Sequence, residues 1–175
     1  MIRYVLIVYR TFLQIALLRK GPESIPHSQV LLIVVTAIWL TVEFVGTFAV
    51  NAKPLRSILI DMLLVAVSLC IYILVAALFR RRERILRLLV AVLGTSAIFG
   101  VLIFTCLLLM PYGLVSDGIN WIIVIIALWS VAVEGHIMAK VIEQPWSVGF
   151  LVAFAVFVLQ LQLSWALNPI INSAT

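Results

Sequence analysis

The chain has 175 residues, of which 65% are hydrophobic and 11% charged. A soluble domain is about 45–50% apolar and about 25% charged, so this composition excludes an ordinary water-soluble fold and predicts an all-α integral membrane protein. Twelve Lys and Arg against seven Asp and Glu give a net charge of +5, but the cations flank long apolar runs, which assigns them to membrane topology and anionic lipid and argues against nucleic acid.

Residues 2–18 form the first apolar stretch. Arg3, Arg10 and Gln14 share one stripe, because seven and four residues are near-integral helical turns. As a span this helix would hold Arg10 near mid-membrane at about 2.5–3.5 kcal/mol. The pattern therefore predicts an amphipathic helix on the cytoplasmic surface, with a sixth span as the alternative. Arginines interrupt the stretch and no small-residue cleavage pattern follows Leu18, so no secretory leader is expected. Residues 19–28, with Gly21, Pro22 and Pro26, break the helix and make a cytoplasmic elbow.

Five spans follow, at 29–50, 57–79, 88–110, 118–139 and 147–167, each near the roughly 20 residues that a ~30 Å hydrocarbon layer demands. Residues 1–175 are thus read as one five-helix transmembrane bundle with an N-terminal interfacial helix. A cytoplasmic N-terminus places ten of the twelve cations on the inner side, with Lys53 and Arg56 outside, as the positive-inside rule requires. The C-terminus then lies outside. With no Asn-x-Ser/Thr sequon in the chain, a bacterial inner membrane is the expected location. Trp121, Trp146 and Trp165 fall near span ends, while Trp39 and Trp129 lie deeper.

Charges inside a membrane are expensive and point first to function. Glu43 and Asp61 form a candidate intramembrane cluster with Lys53 and Arg56 on the connecting turn. The expected role is an ion cluster that fixes the first hairpin, the sharper one a proton-linked carboxylate in a transport path. Glu134, His136, Lys140 and Glu143 form a candidate cytoplasmic-face network, satisfied by water or by neighbouring arginines. Arg80, Arg81, Arg82, Arg84 and Arg87 are the candidate lipid or partner contact, to be tested by replacing Arg81 and Arg84. Gly94-Thr95-Ser96-Ala97 and Gly100 favour close helix packing. Gln160 and Ser164 share a face and suit a hydrogen bond to a neighbouring helix or subunit.

Cys70 and Cys106 lie at unequal depths on adjacent antiparallel spans, which argues against a disulfide; both are read as small buried hydrophobes. His27 falls on a proline-bounded loop where exposure is expected, so a bis-histidine metal or haem site with His136 is disfavoured. There is no Gly-x-Ser-x-Gly, His-Glu-x-x-His or phosphate-cradling glycine loop, and no catalytic, cofactor or metal residue is predicted.

The amphipathic N-terminus, the Gly-Pro/Pro elbow, five compact spans and a short outer C-terminus resemble the Yip (Ypt-interacting protein) superfamily of five-pass membrane proteins and its bacterial relatives. The segment from Leu128-Trp129-Ser130 to Glu134-Gly135-His136 adds to the likeness. The resemblance implies the five-helix fold and, in eukaryotic members, membrane trafficking; it supplies a fold more than an activity. The expected function is a non-enzymatic scaffold, assembly factor or accessory subunit, engaging anionic lipid and a membrane-protein partner or a second copy. A small transporter or channel subunit using Glu43 and Asp61 is the alternative. A membrane enzyme or redox subunit using His136 comes third.

Overall fold

The computed structural model describes the backbone of residues 2–50, 54–109 and 116–172, with side chains from 8 to 167 within those limits. Six helices follow in order: α1 (Ile2–Ala16), α2 (Gln29–Val50), α3 (Pro54–Leu78), α4 (Ile85–Leu109), α5 (Ser116–Ile142) and α6 (Trp146–Asn172). All but α1 are long and apolar enough to cross a membrane. The sequence places each span to within a few residues; the main difference is that α3, α5 and α6 extend further into the turns.

Short turns force consecutive helices to run antiparallel, so one end of the bundle gathers the starts of α2, α4 and α6 and the ends of α3 and α5. This basic end carries the 80–87 run and Lys140. Around the bundle the order is α2, α4, α5, α6, α3, with α5–α6 and α2–α4 the most extensive pairs and α3 closing the ring loosely. The expected first hairpin is therefore a weak pair, because α2 turns its inner face to α4 instead of α3.

Glycines explain that choice. The ring of Phe104 occupies the space beside Gly46, and Gly100 lies against Val42, where an added Cβ would come 3.1 Å from Cγ1. Phe12 of α1 fills the notch at Gly94 in the same way. Small residues let helices approach where the aliphatic surface gives no directional preference. As a result α4 is the best-buried helix, with Leu88, Ala91, Leu93 and Ala97 all inside.

α1 departs from the surface helix expected of it. Phe12, Ile15 and Ala16 are buried, and the indole Nε1 of Trp129 on α5 donates to the Ala16 carbonyl at 2.9 Å. Trp129 stands thirteen residues before Ile142, about 20 Å along the axis, so α1 ends beside the middle of α5, and Lys20, four residues on, is back beside His136, nearer the basic end. A helix end among apolar groups must satisfy its last four carbonyls, and this one does. Leu13 accepts from Leu17, Ile15 from Leu18, Gln14 from both Arg19 and Lys20, and Ala16 from Trp129. Leu18 takes a positive φ of 59° to make the turn, as Arg80 and Glu143 do at the ends of α3 and α5.

Trp129→Phe should leave the Ala16 carbonyl unpaired, a loss of about 1–3 kcal/mol. Faster hydrogen exchange across residues 17–20 and a lowered melting point in detergent would report it. Unchanged exchange would mean that the bond does not hold α1.

Candidate functional site

Three polar assemblies stand at different levels of the bundle. The deepest one joins three helices. Ser68, Tyr72 and Ala76 recur at four-residue spacing on α3 and form its buried stripe. The Tyr72 hydroxyl donates to the Glu134 carboxylate of α5 at 2.5 Å. One turn along, Gln160 Nε2 of α6 donates to the Ser68 hydroxyl at 2.7 Å, and that hydroxyl donates in turn to the Leu64 carbonyl at 2.9 Å. Tyr72 lies six residues from Leu78 and Glu134 eight from Ile142, depths of about 9 and 12 Å, so the two helices are in register for this bond. The expected pairing of Gln160 with a neighbouring helix is present; Ser68 and Tyr72 were not read from the sequence.

The second assembly lies toward the opposite end. Glu43 is seven residues from the end of α2 and Asp61 seven from the start of α3, both half-buried. The two carboxylates are electrostatic neighbours, and the Trp39 side chain lies close to Glu43 from one turn before it. Glu43 also faces α4, its Oε1 being 3.8 Å from where a Cβ on Gly100 would stand. Neither acid makes an ion pair with a described side chain. Arg56 is half-buried at the start of α3, and Lys53 lies outside the described residues. Glu43 and Asp61 thus stand near one another at one depth.

The third assembly braces the basic end. Arg81 and Arg84 each take one oxygen of Glu143, and Arg84 Nη1 also donates to the Lys140 carbonyl at 3.3 Å. The α3–α4 turn is thereby tied to the α5–α6 turn. Glu134, His136, Lys140 and Glu143 do not form one network: Glu134 points away from the other three and accepts from Tyr72, while Glu143 is taken by Arg81 and Arg84. His136 faces the backbone of Lys20, with Glu23 and Lys140 as its charged neighbours, and its buried Nε2 has no hydrogen-bond partner, like Nε of Arg87. His27 is exposed on the elbow. Within the arginine run, Glu143 engages Arg81 and Arg84, which leaves Arg80 and Arg82 exposed for outside contacts. Replacing Arg81 and Arg84 would therefore disturb the brace as well as any lipid contact.

Exposed pairs of this kind contribute about 0.2–1 kcal/mol each. Glu143→Gln should lower stability by no more than the sum of two such pairs, and the loss should shrink as salt is raised. A salt-independent loss would show that the brace works through packing.

Cys70 and Cys106 are both free, but Cys70 lies on the exposed face of α3 and not in the interior. Among the described residues no group of three or more His, Cys, Asp or Glu is placed to hold a metal ion. The chain matches no protein-family model, no curated protein and no solved structure.

Proposed function

We propose that the chain is an integral membrane protein without catalytic activity, serving as a scaffold, assembly factor or accessory subunit of a membrane complex. Support for insertion comes from the outward faces of the long helices, where Val30, Leu59, Leu78, Leu151 and Trp165 stand exposed over an area that a soluble monomer would not leave in water. The observation that carries the scaffold reading is where the polar side chains are used. Glu134, Tyr72, Gln160 and Ser68 join helices to one another, and Glu143 joins two turns. Glu43 and Asp61 remain half-buried beside the loosely held α3, a place where a partner helix bearing a donor or cation would find complementary charge. The bacterial inner membrane, with the basic end in the cytoplasm and a Yip-like layout, is the setting this reading assigns.

A small transporter or channel subunit is the second reading, favoured by two half-buried carboxylates at one depth. Purification in mild detergent separates the two. A stoichiometric membrane partner, lost on Glu43→Leu and kept on Glu43→Gln, is expected of the scaffold. Uptake by proteoliposomes that disappears in a folded Glu43→Gln protein would require ionisation and give the transport reading its place.

A further inference from the structure

A cavity of about 190 Å³ lies between α1, the elbow and the first turn of α2. Val8, Thr11 and Phe12 form one wall, Ile25 and Pro26 a second, and Leu31 the third. Two of these walls are held from behind. Phe12 is seated in the Gly94 notch, and Ile25, only 2% exposed, belongs to the main core. Ser24 also borders the space, but its hydroxyl donates to the Gly21 carbonyl at 2.8 Å and so offers no hydrogen to an occupant. A fixed, partly open and mainly apolar cavity stays dry and takes hydrocarbon. Its volume is that of about six waters at ~30 Å³ each, enough for a short run of acyl methylenes.

Position decides which hydrocarbon. Leu31 is the third residue of α2 and Phe12 is seated at Gly94, nine residues into α4, so the cavity lies in the basic half of the bundle and reaches inward from its end. Arg10, Arg19 and Lys20 are exposed on the two segments that enclose it, against a single exposed acid, Glu23. An apolar cavity flanked by segments that expose three cations fits one class of molecule. We propose that the cavity seats part of an acyl chain of an anionic phospholipid, with the headgroup phosphate among Arg10, Arg19 and Lys20. This rests on the reading that the chain is inserted in a bilayer.

The test is photolabelling of the full-length protein in vesicles containing phosphatidylglycerol with a diazirine in its acyl chain. Labelled peptides covering residues 8–12 and 24–31 are expected, about fivefold more than with the same chain on phosphatidylcholine, the factor contributed by one basic side chain at an anionic surface. Leu31→Trp, filling the cavity from α2, and Val8→Phe, filling it from α1, should each remove this label and leave the label on the outward face of α6. Arg10→Gln should narrow the difference between the two lipids. Label on α6 with none at 8–12 or 24–31 would overturn the cavity site, as would cavity label indifferent to both filling variants. Equal labelling by the two lipids would overturn the anionic headgroup. Absence of label on every helix, with vesicles and protein separating on flotation, would instead sink the membrane reading beneath it.

Discussion

Gly149→Val is expected to cost more than ~3 kcal/mol, beyond the usual range for an overpacked site, and to reduce the yield of folded protein sharply. A Cβ at 149 would meet the Gly135 carbonyl, with the Ala139 nitrogen 2.5 Å and the Ala139 Cβ 2.7 Å away. From the other side, a Cβ at Gly135 would come 2.7 Å from the Phe150 Cα. Two backbones touch here, so neither can step aside by turning a side chain. The stacked row Trp146, Phe150 and Phe154, with centroids 5.0 and 6.0 Å apart, is built on the same face and would shift with it. Gly46→Ala makes the useful comparison, since its new methyl meets the ring of Phe104, which can rotate; its loss should fall within ~1–3 kcal/mol. Melting in detergent that ranked the two the other way round would show that α5 and α6 are not held by this contact.

The second large effect concerns Tyr72 and Glu134. Tyr72→Phe removes the only described hydrogen-bond donor to a carboxyl group set deep between helices, and leaving a buried acceptor unpaired costs about 1–3 kcal/mol. Glu134→Leu strands the Tyr72 hydroxyl in turn. Combined, the two changes should be milder than the sum of their separate effects, with a coupling near the ~0.6–1.7 kcal/mol measured across membrane-embedded helices. Folded fraction against denaturing detergent gives all four corners of the cycle. Strict additivity would mean that water or another group already satisfies Glu134.

Which parts of this architecture could be read from the sequence follows from what each signal measures. Hydropathy and the charge run at 80–87 locate helix ends, so the spans and the grouping of cations at one end were legible. Rotation about the axis was not, because helices that are apolar all round carry no stripe to mark the inner face. Spacing alone sets Glu134 on another face from His136 and Lys140 but does not name its partner on α3, and it gives no reason to pair α2 with α4 in place of α3. Two signals were available. Ser68 and Tyr72 are hydrogen-bonding residues one turn apart in an otherwise aliphatic span, which marks a face turned toward protein. Gly46, Gly94, Gly100, Gly135 and Gly149 mark contact points among five helices, although only Gly94 and Gly100 are legible as packing residues from the sequence. The docking of α1 had no such mark, since a tryptophan's choice of carbonyl depends on the tertiary arrangement.

The bond from Trp129 to Ala16 spans 113 residues of sequence, and it sets an order of assembly. At about 5–20 residues per second, the ribosome needs roughly 6–23 s after adding residue 16 before the indole exists. During that interval the first helix has neither its last acceptor satisfied nor, until Gly94 is made, a notch for Phe12. The end of α1 can therefore be fastened only once α4 and α5 have been made, because Gly94 and Trp129 belong to them.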